Sequence, residues 1–339
     1  MAALSGRPLV VLGMHRSGTS SLVGVAARLG AALGSDLLDA NEFNPRGYGE
    51  HREVVAIHDR FLAAQGLRWD AARRPDAFEG EAARDARGAL RELLLREFAS
   101  APLFAVKDPR LCRLLPLWKP LLRELGAQPA YAIVLRHPLE VAASTARRDG
   151  LAPGRAHLLT LEHLLAAERE TRGAPRAFVR YEELFADWRA VAARLAERGG
   201  FAWPRPPEAA AAEVDAFLSA DLRHHRADGG WPAQDAARYP WLAALHAELL
   251  ALARDGESDA RAAALDGLEA SAAAAHALYG PALAALEDER ARLEAARRDA
   301  EKRARRAERK REELAGSPAL WLRTFLRGRR VRGAEPPAP

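Results

Sequence analysis

Four short apolar runs, each bounded by turn or charged residues, punctuate the first half of the chain. They are PLVVLG at 8–13, LFAVKD at 103–108, AYAIVLRH at 130–137 and RAFVRY at 176–181. Runs of this length are typical of buried strands. Stretches with helical patterns separate them, near 18–29, 51–65, 84–99, 111–125, 138–148 and 157–172. Strands that alternate with helices predict an α/β fold, a three-layer sandwich with a mainly parallel central sheet covered by helices on both faces.

The pattern changes after about residue 200, where strand signals stop and Pro-punctuated helical segments follow. We expect residues 1–255 to form one α/β domain and residues 256–280 a helical connector. From 281 to 315 there is no Gly or Pro after the first residue, which predicts a long charged helix. Leucine or alanine recurs there every seven residues, but arginine fills most companion core positions. A solvated helix and a weak coiled-coil dimer therefore remain alternatives.

Positive charge is concentrated at the carboxyl end of the chain. Residues 290–339 contain 16 Lys and Arg against 7 Asp and Glu, a net +9; because the whole chain carries +5, residues 1–289 carry −4. Residues 316–339 predict a basic amphipathic tail with a disordered end, which would contact an anionic membrane surface or a partner, or pack back onto the body. The basic residues lack a recognition motif and are interleaved with Glu, so we expect no nucleic-acid binding.

The composition favours a soluble cytoplasmic protein, in contact at most with the inner face of the membrane. The first apolar run spans about five residues, too short for a signal peptide, and no window approaches the roughly 20 apolar residues of a membrane span. Cys112 is the only cysteine, which excludes an intramolecular disulfide, and we interpret it as a small core residue.

A glycine-bounded loop, GMHRSGTSSL, follows the first predicted strand at residues 13–22. Between a strand and a helix start, such a loop gathers backbone N–H groups and the positive helix end around one anion. Thr19 and Ser20 add hydroxyl donors, and Arg16 adds a planar fork suited to phosphate or sulfate oxygens. A triphosphate-binding loop of the form G-x-x-x-x-G-K-[ST] would have lysine where this chain has Thr19. The sequence therefore predicts an anion cradle of a different kind.

A second anion-binding pattern follows the third predicted strand, which ends at Arg136. A helix begins at Pro138, and Ser144 falls two turns into it. Nucleoside triphosphate enzymes hold magnesium with an acidic residue at such a strand end, whereas an arginine repels the metal and attracts phosphate. The two patterns predict a site for a nucleotide with two separated anionic groups. No histidines stand at zinc-ligand spacing, so we expect no metal.

The two patterns resemble those of sulfotransferases that use 3′-phosphoadenosine 5′-phosphosulfate (PAPS). Members carry a loop of the form [PR]-[KR]-S-G-T-[ST], matched by HRSGTS at 15–20, and Arg-x-Pro followed by Ser, matched by Arg136, Pro138 and Ser144. NPRGYGEHREV and KDPRLCRLLPLW, between the motifs, are similar to segments of bacterial sulfotransferase-like proteins. The resemblance covers roughly residues 8–200 and implies a P-loop NTPase-like fold.

The resemblance also implies which residues bind the donor. Arg136 and Ser144 would hold the 3′-phosphate, and Tyr181 would lie near the adenine. The residues of the first loop would bind the phosphosulfate: His15, Arg16, Ser17, Gly18, Thr19 and Ser20.

Charge development during transfer indicates the catalytic candidates. Negative charge builds on the leaving oxygen, where cationic donors lower the barrier, so Arg16 and Lys107 are candidates. The acceptor must lose a proton, and Glu50 and His51 are candidate bases. We prefer Glu50, because the bacterial and tyrosyl-protein members resemble each other in using a carboxylate after the first helix.

Other positions near the second strand leave alternatives open. Cytosolic small-molecule members place a histidine two residues after the strand lysine, where this chain has Pro109, so that base cannot be carried over. Asp108 and Arg110 are candidates for acceptor binding or for a buried ion pair.

The sequence thus predicts transfer of a sulfuryl group from PAPS to a hydroxyl or amine of an acceptor such as a glycan, a lipid-linked sugar or a small metabolite. A magnesium-dependent kinase of the same fold is one alternative. A catalytically inactive nucleotide-binding or scaffold protein, acting through its basic tail, is the other.

Overall fold

A computed structural model describes residues 3–218 and 230–315. Its sheet has four strands, β1 (Arg7–Leu12), β2 (Leu103–Lys107), β3 (Ala130–Leu135) and β4 (Arg176–Arg180). All are parallel, in the order β2-β1-β3-β4. The four predicted strands are confirmed, with ends within two residues of the predicted positions.

Helices separate and follow the strands. They are α1 (Thr19–Arg28), α2 (Arg52–Ala63), α3 (Glu81–Phe98), α4 (Leu111–Glu124), α5 (Pro138–Asp149), α6 (Pro153–Thr171), α7 (Tyr181–Ala186), α8 (Trp188–Gly199), α9 (Pro207–Phe217), α10 (Ala233–Arg238), α11 (Pro240–Asp255) and α12 (Asp259–Ala315). The six helices predicted between the strands correspond to α1 to α6, so the alternation of strands and helices is confirmed.

Each strand is buried on both faces, and its alternate residues enter two separate cores. Leu9 and Val11 of β1 pack with α1, α8 and α9, whereas Val10 and Leu12 pack with α2, α3, α4, α6 and α11. Because successive side chains of a strand point to opposite faces, one apolar run supplies both cores. The three-layer α/β sandwich is confirmed.

The strand order places two polar loops side by side. β1 lies at the centre, with β2 and β3 as its neighbours, and Val11 is in register with Lys107 on one side and Ala132 on the other. The carboxyl ends of parallel strands meet at one edge of the sheet, where ligands of such folds bind. The residues that follow β1, β2 and β3 therefore share one face.

The chain divides into two compact units, Met1–Leu278 and Tyr279–Pro339. In the second unit the described residues belong to α12 and are largely exposed, including Leu286 and Leu293. Arg297 pairs with Glu301 one turn on, at 2.8 Å, a spacing that supports a solvated helix. The predicted tail, 316–339, lies outside the described residues. Among the helices of the described residues, none combines the length with the apolar composition that crossing a bilayer requires.

Candidate functional site

The loop between β1 and α1 has the geometry of an anion-binding turn. Arg16 adopts a left-handed backbone with φ 70°, and Gly18, at the N-cap of α1, has φ 99°. No side chain caps α1, so the first N–H groups of the helix are left for another acceptor. A turn and an uncapped helix start of this kind suit an anion.

Glycine is required at both ends of this loop because neighbours come very close. A Cβ on Gly18 would lie 2.2 Å from Cδ2 of Tyr181. A Cβ on Gly13 would lie 2.6 Å from Oγ of Ser17, a buried hydroxyl without a hydrogen-bond partner among the described residues. Neither glycine position therefore has room for a side chain.

Cys112 is a core residue that contacts the loop between β1 and α1. The Gly13 N–H donates to Cys112 Sγ at 3.1 Å, and burial raises the pKa of this thiol to about 12. The thiol therefore stays protonated and packs against the loop. The interpretation of Cys112 as a core residue is confirmed.

Arg16 joins the two anion-binding patterns. Its Nε donates to Oγ of Ser144 at 2.8 Å, although 128 positions separate the two residues. The Arg16 carbonyl in turn accepts from Nη1 of Arg136 at 3.1 Å. Two loops predicted separately from the sequence thus form one hydrogen-bonded site.

The site carries a surplus of positive charge. Burial, followed by repulsion from Arg148 and Arg136, lowers the pKa of the Arg16 guanidinium, which nevertheless remains a cation. Arg147 and Arg148, from the last turn of α5, also line the cleft. Cations held together in this way favour a bound anion.

Tyr181 covers the guanidinium of Arg136. The Arg136 Cζ lies 4.4 Å from the centre of the Tyr181 ring, a cation–π arrangement, and Nε of Arg136 donates to Glu140 at 2.7 Å. Tyr181 is buried and packs against Gly18, so it links the start of α1 to the second anion pattern. Its predicted place near an adenine remains a prediction.

Lys107, at the end of β2, pairs with Glu50. The two side chains are 3% and 7% exposed, and the Lys107 ammonium donates to Glu50 Oε1. Lys107 also donates to Ser20 Oγ at 3.2 Å and to the Tyr48 carbonyl at 3.3 Å. The preferred base and one of the two candidate cations are therefore in direct contact, beside a hydroxyl of the first loop.

The other candidate base, His51, lies apart from the cleft. It occupies the N-cap of α2 and is buried against Gly34, where a Cβ would lie 2.6 Å from its ring. The residue after it, Arg52, bonds Asp36 and Asp39 rather than Glu50. Of the adjacent pair 50 and 51, only Glu50 is among the residues that line the cleft.

Asp108 belongs to a buried ion pair. Its carboxylate bonds Nη1 of Arg110 at 3.0 Å and Nδ1 of His58 at 2.8 Å, and His58 Nε2 accepts from Trp118. Burial alone would raise the pKa of Asp108, but Arg110 and His58 hold it below its usual range. Asp108 therefore fits the alternative of a buried ion pair rather than acceptor binding. Arg110 belongs to the same ion pair, but it also lines a neighbouring cavity.

His15 is buried in the first loop, and its pKa lies well below the usual value because of burial and the nearby Arg110 and Arg148. The ring is therefore neutral. Its Nδ1 lies 3.4 Å from Nη2 of Arg148, which can only donate. The ring hydrogen consequently sits on Nε2, which has no partner among the described residues.

The cleft also contains residues that the sequence did not single out. Asn44 donates to Ser20 Oγ at 3.3 Å, and the Phe43 carbonyl accepts from Arg16 at 3.1 Å. Arg147 and Arg148 stand one turn beyond Ser144, a spacing that could have indicated them. Of the predicted set, these line the cleft: His15, Arg16, Gly18, Thr19, Ser20, Glu50, Lys107, Arg136, Ser144 and Tyr181. Within residues 3–218 and 230–315, no group of three or more His, Cys, Asp or Glu could hold a metal ion.

Comparison with protein-family profiles gives no match, and comparison with curated protein sequences gives none either. Three solved structures are similar in fold. The sulfotransferase domain of the Synechococcus PCC 7002 olefin synthase is 16% identical with a TM-score of 0.36, over 70% of this chain and 95% of that domain. The sulfotransferase domain from the curacin biosynthetic pathway is 15% identical with a TM-score of 0.37, over 70% and 98%. Sulfotransferase STF9 from Mycobacterium avium is 17% identical with a TM-score of 0.41, over 75% and 78%.

Proposed function

We propose that the protein is a PAPS-dependent sulfotransferase that acts on a hydroxyl or amine. One observation carries the proposal: Arg16 bonds Ser144 with its side chain and accepts from Arg136 with its carbonyl. One cleft then offers two anion-binding loops, separated by a single guanidinium. A nucleotide with a phosphosulfate at one end and a phosphate at the other matches that arrangement.

The residues of the cleft fit such a donor. The glycines leave backbone N–H groups at the first loop free of side chains, and the hydroxyls of Thr19 and Ser20 stand beside them. Arg136 and Ser144 supply the cation and hydroxyl for the second anion. Tyr181 lies between the two loops, where a base of the nucleotide could pack on its ring.

Each reacting group has a candidate partner in this chain. The donor supplies the sulfuryl group. The acceptor oxygen or nitrogen bonds to sulfur while the bond between sulfur and the bridging phosphate oxygen breaks, and the acceptor proton passes to Glu50. Arg16 and Lys107 hold the negative charge left on the phosphate. The Lys107 ammonium bonds Glu50 and also Ser20 of the first loop. It is therefore close both to the candidate base and to the loop that would hold the leaving phosphate.

Nucleotide binding tests the proposal directly. Calorimetric titration with adenosine 3′,5′-bisphosphate should show binding that does not depend on magnesium, and Arg16→Ala and Arg136→Ala should each abolish it. Arg254→Ala is the control, because Arg254 is exposed and pairs with its neighbour Asp255. Binding of ATP that requires magnesium would favour the kinase, and the absence of any nucleotide binding would overturn the sulfotransferase.

The role of Glu50 needs a separate measurement. Glu50→Gln keeps the shape of the side chain and a hydrogen-bond acceptor for Lys107, but cannot take up the acceptor proton. We expect bisphosphate affinity within about threefold of the parent protein and a loss of transfer of at least 100-fold, as for removal of a general base. Retained transfer in Glu50→Gln would contradict the assignment.

A further inference from the structure

A second cavity, of about 330 Å³, adjoins the anion-binding cleft. The two share five lining residues, His15, Phe43, Tyr48, Glu50 and Arg148. Glu50, the candidate base, therefore borders both spaces. A molecule in the second cavity could present a hydroxyl to Glu50 while a nucleotide occupies the cleft.

One wall of this cavity is apolar. Trp69, in the connection between α2 and α3, lines it together with Leu38 and Val55. The Trp69 ring is partly exposed and rests on His15, with ring centres 4.3 Å apart. An indole fixed in this way is a flat platform for a ligand with an apolar face.

The remaining wall is polar. Asn41 and Tyr48 hydrogen-bond each other at 2.9 Å, and Asp149 and Arg148 also face the cavity. Uncharged hydrogen-bonding groups and an ion pair therefore line the same cavity as the aromatic platform.

The charges of the cavity balance. Arg110 is bonded to Asp59 at 2.8 Å and to Asp108 at 3.0 Å, and Arg148 is bonded to Asp149 at 2.8 Å. Both guanidinium groups on this wall are thus paired with carboxylates of the protein. An anionic acceptor would find only cations already paired with carboxylates here, whereas the neighbouring cleft also holds Arg16, which bonds Ser144 and the Phe43 carbonyl.

We propose that this cavity binds the acceptor, and that the acceptor is an uncharged saccharide. One face of the sugar ring packs on Trp69, its hydroxyls bond the polar wall, and one hydroxyl faces Glu50. The inference rests on the proposed sulfotransferase function and narrows its acceptor to a neutral carbohydrate.

The test uses the full chain, first loaded with adenosine 3′,5′-bisphosphate, with the indole N–H signals followed by NMR. The signal that disappears in Trp69→Phe identifies Trp69. Methyl glycosides of glucose, galactose and mannose serve as probes, with glucuronate and 4-nitrophenol for comparison. We expect at least one methyl glycoside to shift the Trp69 signal, and Trp69→Ala to weaken its binding at least tenfold.

Two controls separate this inference from the proposed function. Trp241→Ala removes an exposed tryptophan elsewhere and should leave glycoside binding unchanged. Trp69→Ala should keep the parent affinity for the bisphosphate. Failure to bind the bisphosphate would overturn the proposed function, and this inference with it. Normal bisphosphate binding, with no glycoside shift or with a shift caused only by glucuronate or 4-nitrophenol, would overturn this inference alone.

Discussion

At the scale of single residues, the shape of the first loop depends on the absence of side chains at its glycines. Gly18 combines a left-handed backbone with contact to the Tyr181 ring, and it is the N-cap of α1. Any side chain there meets both a backbone penalty and a steric one. The aromatic ring and the helix start are thus packed so closely that the loop has one available shape.

Gly18→Ala should therefore disable the cradle. The left-handed conformation costs a non-glycine residue about 1–2 kcal/mol, and the new methyl must displace Tyr181. We expect bisphosphate affinity to fall at least tenfold in calorimetry. Gly88→Ala is the matched control, because Gly88 lies in α3 and a Cβ there would have no atom within 4 Å. This substitution should raise the free energy of unfolding, measured in urea, by up to about 1 kcal/mol. Equal behaviour of the two variants would contradict this account of the loop.

Residues inside a local motif could be predicted from the sequence, and residues brought together by folding could not. Arg16 and Ser144 each stand in a recognisable pattern, so both were predicted, although their hydrogen bond was not. Trp69 comes from an irregular connection with no periodicity or motif, and nothing local indicates its contact with His15. The His58 partner of Asp108 was equally hidden, because it lies 50 positions away, whereas the ion pair with Arg110 was one of the predicted alternatives.

At the scale of elements, the strands were predictable because the central residues of each are apolar and buried. Their order was not, since no local pattern says that β1 lies between β2 and β3. The ends of the helices were predicted less accurately than the ends of the strands. α6 begins at Pro153, four residues before the predicted start. Its first turn begins with Pro, which is favoured at a first helical position, and lies before the apolar pattern on which the prediction was based.

The burial of His246 in α11 predicts that the protein loses stability as the pH falls. His246 accepts a hydrogen bond from Trp231 at Nδ1, at 3.2 Å, and burial together with His137 lowers its pKa to about 4. Because the unfolded chain binds this proton at about pH 6.5, the unfolded state gains protons first, and stability is lost as the pH falls from about 6.5 toward 4. The slope should be roughly 1.4 kcal/mol per pH unit for such a group.

Urea unfolding at several pH values measures this slope. His246→Gln keeps a polar side chain but cannot titrate, so the loss of stability between pH 6.5 and 4 should become smaller. His163, whose pKa burial lowers to about 3, should remain and contribute to the residual slope. A slope unchanged by His246→Gln would show that the titration of other groups accounts for the acid sensitivity.

At the scale of the whole molecule, the candidate site and the core belong to the first unit. The cleft residues end at Tyr181, and the last buried apolar residue among those described is Ala272. From Tyr279 on, α12 exposes Leu286, Leu293 and most of the charged residues described there. A weak coiled-coil dimer through this helix remains one of the two predicted alternatives.

A chain that ends at Leu278 should therefore keep its fold and its site. We expect its bisphosphate affinity to lie within about twofold of the full chain, and its circular dichroism to lose the helical signal of residues 279–315. Sedimentation of both forms would show whether residues 279–339 mediate a dimer. Loss of nucleotide binding on truncation would contradict the assignment of the site to the first unit.

The bond between Arg16 and Ser144 has a consequence for how such a sequence changes over generations. Position 16, in the first loop, supplies a guanidinium that bonds Ser144 and a carbonyl that accepts from Arg136, both in the second anion-binding pattern. A replacement at any of the three positions alters the surroundings of the remaining two. We expect substitutions at 16, 136 and 144 to be inherited as correlated sets, so that the two loops evolve as one unit.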